Sequence, residues 1–347
     1  MKSRAITIVG SGLSGLSSAL SLSRCVRGAN IRLVDTMSED AWKEAKNANA
    51  HVGLWSNAIA TLNDLEISGL EMAFVEGSSY RSAKGRILAY PSIHLNAPPS
   101  SSVRRATILW PTLAFVNERD LREALLESLR ASGAQNGNEV CVDFGRSLSS
   151  ITRDGLYFDG DEHVSGKNAE PTDLLVAADG RNSLVRKLVF PRMAHEDHVL
   201  SQWGYSIFRG TCDSTLPSVG MDGFQSWGVG RRFAAVPKPG GGHVWFAAVS
   251  DALLAPHMPV SPPPMLVVEP GQKGLPNPAL HLSNAERLEV VRGLFEGWHS
   301  EVVDLLGDSG GDVAWDPAVA SRAVIPNGLS HVPEDGRLTL TRTRTRT

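Results

Sequence analysis

Six residues, Gly10-Ser11-Gly12-Leu13-Ser14-Gly15, constrain this chain more than any other feature. They end the apolar, β-branched run Ala5-Ile6-Thr7-Ile8-Val9, which reads as a buried parallel strand. Leu13, Leu16, Leu20 and Leu22 then recur at near-helical spacing, and Gly28 stands where a helix cap is expected before a second strand over residues 31–35. Strand, glycine turn, helix and strand make a βαβ unit. Its glycines have separate tasks: Gly10 permits the tight turn, Gly12 lets a pyrophosphate approach the backbone, and Gly15 allows helix and strand to pack closely. A diphosphate there would meet amide groups that lack intrahelical partners, at the positive end of the helix dipole. Asp35 ends the second strand, twenty residues after Gly15, where a carboxylate can accept from ribose hydroxyls. The same charge repels a 2′-phosphate, which disfavours NADPH at this first site and leaves NAD and FAD both compatible.

Composition narrows the partners. The chain has 347 residues, 42% hydrophobic and 20% charged, enough for two domains with cores of their own. A formal charge of −3 supplies no global field for nucleic acid or anionic membrane, so a small-molecule partner is expected. Cys25, Cys141 and Cys212 are far apart and odd in number, without metal-ligand spacing, which points to a reducing compartment and no metal. No run approaches the length of a membrane span, and a strand starting at Ala5 leaves no room for a cleaved leader. The expected location is the cytoplasm.

Along the chain, residues 53–70 and 120–130 read as helices, with a polar connector at 98–105 between them. A second strand-turn-helix unit spans 173–189, with Asp179-Gly180 at its turn. Residues 195–250 alternate and are rich in aromatics, which suggests antiparallel strands. Residues 256–278 look like a proline-rich surface excursion, and Ser283 with Glu286 forms a capping box for a helix through Leu306. Leu338 and Leu340 suggest a core strand. Continuing its period would bury Arg342, Arg344 and Arg346, so 341–347 reads as a solvated Thr/Arg tail.

Together these motifs resemble the group A flavin-dependent monooxygenases, aromatic hydroxylases of the para-hydroxybenzoate hydroxylase fold. Gly10 to Gly15 with Asp35 resembles the family's adenosine-diphosphate site, although the family more often has Glu at the Asp35 position. The segment LLVAADGRNSLVR (174–186) is similar to the family's Asp-Gly fingerprint beside the flavin ribityl chain and the transient nicotinamide. Arg119 matches the arginine near the flavin, and WGVGRRFAAVP (227–237) with FEGWHSEVVDLL (295–306) resembles the substrate-domain strand and its following helix.

The resemblance implies an α/β protein: a Rossmann-like FAD-binding domain with an inserted α+β substrate domain on an antiparallel or mixed sheet. Residues 1–80, 105–190 and 320–340 would form the former, 81–104 and 191–319 the latter. It further implies FAD as cofactor, NAD(P)H as transient co-substrate, and O2 as the source of one oxygen placed on a small aromatic or conjugated substrate. Cofactor contacts are expected from Gly10, Ser11, Gly12, Leu13, Ser14, Gly15, Asp35, Arg119, Asp179 and Gly180. Trp203, Tyr205, Phe208, Arg209 and Trp245 are candidates to line the substrate site, with Arg209 able to pair with a substrate carboxylate. Against that stands a plain structural arginine at a strand end or on the surface, and His51 reads as a loop histidine before a general base.

One departure bears on activity. Where the family's strand runs into a Gly-Asp-Ala-Ala-His turn and a long C-terminal helix, this sequence reads TRTRTRT from Thr341, so one wall of the cofactor site is expected to be missing. The alternative from another class is a non-catalytic protein that keeps the fold as a binding module. An NAD-dependent dehydrogenase would need a second α/β or helical domain where this chain offers antiparallel strands. There is no P-loop, no zinc pattern and no halogenase W-x-W-x-I-P signature.

Overall fold

The computed structural model describes residues 3–44, 50–75, 77–90, 113–132, 135–152, 154–159, 169–180, 183–189, 200–214, 223–257, 282–310, 313–321 and 338–339. The connector at 98–105, nearly all of the 256–278 excursion, Leu340 and the 341–347 tail lie outside them, as does the side chain of Trp203.

The amino-terminal third contains β1 (Arg4–Val9), α1 (Leu13–Cys25), β2 (Ala29–Asp35), α2 (Glu39–Lys43), β3 (His51–Trp55), α3 (Ser56–Asp64), β4 (Ala73–Phe74), β5 (Ser78–Ser82) and β6 (Ile87–Ala89). Next come β7 (Leu113–Asn117), α4 (Glu118–Ser132), β8 (Glu139–Phe144), β9 (Leu148–Ile151), β10 (Leu156–Phe158), β11 (Leu174–Ala177) and α5 (Leu184–Val189). The remainder holds β12 (Leu200–Cys212), β13 (Gly223–Gly228), β14 (Arg231–Pro237), β15 (His243–Ser250) and α6 (Asp251–Leu254). It ends with α7 (Asn284–Leu294), α8 (Ser300–Gly307), β16 (Ala314–Ser321) and β17 (Leu338–Thr339). The chain divides into two compact units: Met1–Lys46, Arg119–His198 and Ser321–Thr347 form the first, Asn47–Glu118 and Val199–Ala320 the second. The described residues of 50–80 and 113–118 thus group with the second unit, whereas the sequence reading set them with the cofactor domain.

The first unit is built on a five-stranded sheet of order β17-β11-β1-β2-β8, with every pairing parallel. Ile6, Thr7, Ile8 and Val9 are all buried in succession, as a parallel strand covered on both faces requires. α1 turns Leu16, Ala19 and Leu20 inward, and α4 does the same with Leu121, Leu125, Leu126 and Leu129. Each fully buried leucine contributes about 1.5–3 kcal/mol. A buried hydroxyl pair, Ser23 Oγ and Ser132 Oγ at 2.9 Å, ties the two helices together. The chain runs from β1 to β2 on one side and places β11 on the other, so β1 and β11 flank a topological switch point.

The second unit carries a mixed seven-stranded sheet, β16-β12-β15-β14-β13-β5-β6, and an antiparallel three-stranded one, β3-β7-β4. One face of the large sheet is closed by α7, α8 and the turn between them, from which Val291, Phe295, Val302 and Leu305 join Phe208, Phe233 and Trp245 in one cluster. Gly210 is needed there, since a Cβ on it would lie 2.3 Å from Trp245 Cζ2.

Several expectations need correction. The helix expected over 53–70 starts only at Ser56, because His51–Trp55 pairs as a strand with Leu113–Asn117; His51 is therefore a strand residue and not a loop histidine. The capping box of Ser283 and Glu286 is present, but the helix it opens ends at Leu294. Gly297, at φ +72°, turns the chain, and α8 restarts at Ser300.

Candidate cofactor site

In the first unit the glycine turn and the Asp-Gly turn come together at the carboxyl ends of the neighbouring strands β1 and β11. Val9 and Ala177 are partners in register, and Ala178 N donates to Val9 O at 2.8 Å. The fit is close enough to dictate glycine. Gly10 adopts φ +103°, and a Cβ there would lie 2.4 Å from Ala178 O and 2.8 Å from Asp179 Cα. A Cβ on Gly15 would sit 1.7 Å from Gly10 O, so no other residue lets α1 approach the turn this closely. Gly12 differs: among the described residues an added Cβ would meet nothing within 4 Å.

Gly12 caps α1 without any side-chain bond, and the first helical amide to find a carbonyl is that of Leu16, 3.0 Å from Gly12 O. The amides of Leu13, Ser14 and Gly15 are thus the donors that a helix start leaves without intrahelical partners. Beside them Asp35 is already engaged. Its Oδ2 accepts from Ser11 N at 2.7 Å and Ser11 Oγ at 2.6 Å, and its Oδ1 from Met37 N at 2.9 Å. A carboxylate has about four acceptor positions, so roughly one, on Oδ1, is left for a ribose hydroxyl. Trp42 Nε1 supports the same loop by donating to Ser11 O at 3.2 Å.

Asp179 Oδ2 accepts from Val185 N at 3.0 Å, which fixes the carboxylate at the start of α5. Its Oδ1 is buried with no hydrogen-bond partner among the described residues. Gly180, at φ +78°, has nothing among the described residues within 4 Å of an added Cβ. Open space at Gly12 and Gly180, free helix-start amides and an unsatisfied carboxylate oxygen are what a dinucleotide with its diphosphate over α1 would use, so the residues fit the group.

Arg119 lies apart from this cluster in sequence, in the first turn of α4, with its side chain 43% exposed and Nε 2.8 Å from Glu123 Oε1. That hydrogen bond holds Arg119 more firmly protonated than a free arginine. Arg209 belongs to the second unit, near the carboxyl end of β12 opposite Phe246, on the face of the large sheet away from α7 and α8. It is half-buried.

The expected lining residues divide by strand parity. Phe208 and Trp245 point into the helix-covered core: Phe208 stacks on Trp315 at 6.0 Å, and Trp245 Nε1 donates to Ser309 Oγ at 2.7 Å. They do not share the face of Arg209. That face carries instead Phe246, Ala234, Gln225 and Tyr80 in one row across four strands, with Phe115 of β7 6.3 Å from the Phe246 ring. Tyr205 is on the same face and 44% exposed. Alternation alone could have paired Arg209 with Phe246 in type, but not the register that sets them opposite.

Parallel sheet, switch point and paired turns define a dinucleotide-binding α/β protein. Within that class the chain belongs to the FAD binding domain family, whose model matches residues 3–215, and FAD is its cofactor. It is 29% identical over 189 residues to the 2-heptyl-3-hydroxy-4(1H)-quinolone synthase of Mycobacteroides abscessus. That match covers 54% of this chain and 42% of the relative, so the chain spans under half of its length. Among solved structures, PqsL of Pseudomonas aeruginosa in complex with 2-aminobenzoylacetate is similar with a TM-score of 0.60 at 14% identity, covering 92% of this chain and 74% of PqsL. HpxO of Klebsiella pneumoniae, complexed with FAD and uric acid, gives 0.59 at 17% identity, covering 97% and 72%. At these identities the likeness is one of fold.

Proposed function

We propose that this chain is an FAD-dependent monooxygenase that uses NAD(P)H and O2 to hydroxylate or epoxidise a small aromatic or conjugated substrate. The observation that carries the reading is the joint turn of Gly10 and Asp179, which leaves an open, donor-lined recess at the switch point of a chain in the FAD binding domain family. When bound, FAD supplies the redox chemistry; the protein binds, orients and excludes water.

Gly10, Ser11, Gly12, Leu13, Ser14 and Gly15 would cradle the diphosphate, Asp35 would take a ribose hydroxyl, and Asp179 with Gly180 would meet the chain leading to the flavin. Arg119 is assigned to the flavin side from the family resemblance. The second unit would receive the substrate on the face of its large sheet away from α7 and α8, where Phe246 and Tyr80 offer flat apolar contact and Arg209 and Gln225 polar anchors. The named relatives support a flat conjugated ligand: one is named for a quinolone, one structure holds 2-aminobenzoylacetate and another uric acid. NAD(P)H supply and three free cysteines suit the cytoplasm. Among the described residues no helix is long and apolar enough to cross a membrane.

The test is an absorption spectrum of the purified chain after FAD addition and desalting, followed by NADH and NADPH oxidation with a panel of aromatic compounds. Retained flavin bands and substrate-stimulated oxidation are expected. A colourless protein that cannot be reconstituted overturns the reading.

A further inference from the structure

We propose that Asn136 is a self-modification site: its side-chain amide is lost to attack by the backbone nitrogen of Gly137, and the charge that replaces it loosens the corner where α1 passes into β2. Asn136 and Gly137 are both exposed and both left-handed, at φ +62° and +65°. A glycine leaves its own nitrogen unshielded by a side chain. Among the described residues an added Cβ on Gly137 would meet nothing within 4 Å, so a ring has room to close there.

The Asn136 amide is held loosely. Its Nδ2 donates to Ser23 O at 3.4 Å and to Arg24 O at 3.2 Å, at and beyond the long end of the ordinary N–H···O range. Asn138 is the contrast within the same segment. It is 7% exposed, its Nδ2 donates to Ser23 O at 2.7 Å and to Val26 O at 2.9 Å, and its Oδ1 accepts from Ala29 N at 2.9 Å. The residue after it is Glu139, whose side chain crowds the nitrogen that would have to attack.

The step needs only the chain and water. Gly137 N bonds to Asn136 Cγ, the Cγ–Nδ2 bond breaks, and the proton of Gly137 N leaves with the amide group as ammonia. Water then opens the cyclic imide at either carbonyl, giving aspartate from one and isoaspartate from the other; nothing is oxidised or reduced. Either product alters the corner. A carboxylate has no proton to donate to Ser23 O or Arg24 O, and its charge stands at the negative end of the α1 dipole. Isoaspartate also lengthens the main chain by a methylene, directly ahead of the Asn138 side chain that ties the end of α1 to the start of β2.

Tryptic mapping of the full chain, incubated at mildly alkaline pH, tests the site, because residues 131–146 are released as one peptide. Mass spectrometry should show aspartate and isoaspartate accumulating at Asn136 while Asn138 stays intact. Asn136→Gln, which keeps an amide but cannot close a five-membered ring, should leave the peptide unconverted. Asn136→Asp, which carries the product's charge from the start, should lower the melting temperature by about 2–4 °C. A wild-type peptide that stays unmodified, conversion of Asn138 as fast as Asn136 in the folded chain, or an Asn136→Asp protein that melts with the wild type, overturns the proposal.

Discussion

Ser11 and Asp35, at the ends of a turn and a strand, are joined by two hydrogen bonds to one oxygen: Ser11 N and Ser11 Oγ both reach Asp35 Oδ2, at 2.7 and 2.6 Å. The carboxylate that a ribose would meet is thus also the post that holds the glycine turn in place. Asp35→Asn puts an amide against these donors and can satisfy them at one atom at most. Hydrogen bonds to charged groups are worth about 1.5–3 kcal/mol, so FAD affinity should fall roughly ten- to a hundredfold. Quenching of FAD fluorescence on titration measures it, and an unchanged Kd would show that neither the turn nor the ribose depends on this carboxylate.

A buried polar chain behind the large sheet makes a pH prediction. Ser226 Oγ lies 2.6 Å from His299 Nε2, His299 Nδ1 2.7 Å from Glu301 Oε2, and Arg81 Nη1 2.9 Å from Glu301 Oε1. Burial raises the Glu301 pKa, but the bonds from His299 and its own backbone amide, with the charges of His299 and Arg81, outweigh it and hold the pKa below its ordinary value. A carboxylate with a lowered folded pKa stabilises fully above its unfolded pKa, near 4.5, and loses that contribution as pH falls through the folded value. Glu301→Gln should therefore lower the melting temperature at pH 7 and converge on the wild type towards pH 3. Parallel melting curves across that range would contradict the assignment.

The elements that were legible in the sequence are those whose cause is local. The glycine turn could be read because Gly10 needs a positive φ and Gly15 needs no Cβ, and both requirements leave one residue type. The capping box was equally visible, since Ser283 and Glu286 satisfy each other within one turn. What escaped depends on partners distant in sequence. The strand at His51–Trp55 exists through its pairing with Leu113–Asn117, and its residues taken alone fit a helix. Phe208 and Arg209 were grouped as lining residues although strand geometry puts them on opposite faces; which face is core depends on α7 and α8, nearly eighty residues away. Ser11 was read as part of a cofactor cradle, and its bond to Asp35 required knowing how the two loops meet.

The close approach of Gly210 and Trp245 predicts a coupled pair. A Cβ on Gly210 would lie 2.3 Å from Trp245 Cζ2 and 2.6 Å from Cε2. Overpacking of this kind costs about 1–3 kcal/mol, so Gly210→Ala should lower the denaturation midpoint by an amount of that order. Trp245→Phe removes the clashing atoms together with the bond to Ser309 Oγ. In that background Gly210→Ala should cost much less, giving a double-mutant coupling above about 0.5 kcal/mol. Additive effects would mean that the strands shift to absorb the methyl group.

The two remaining glycines of the turn separate folding from binding. Gly15 lies in the first turn of α1, where an alanine suits a helix better than glycine, whereas Gly12 is the N-cap, where glycine is preferred to alanine by about 1 kcal/mol or less. The surroundings oppose only one of the two changes to alanine. At Gly15 the new Cβ would lie 1.7 Å from Gly10 O, a backbone atom held by the bond from Gly10 N to Val34 O at 2.8 Å. The carbonyl cannot yield without pulling β1 from β2, and Gly15→Ala should destabilise the first unit by about 3 kcal/mol or more. At Gly12 φ is −70° and nothing among the described residues lies within 4 Å of the added Cβ, so Gly12→Ala should fold with only the small loss of melting temperature that a poorer cap brings. The methyl group would then stand where the diphosphate must approach the amides of Leu13, Ser14 and Gly15. A folded, colourless Gly12→Ala protein beside an unstable Gly15→Ala protein is the expected outcome. If Gly12→Ala kept its flavin at wild-type affinity, the diphosphate would have to lie elsewhere.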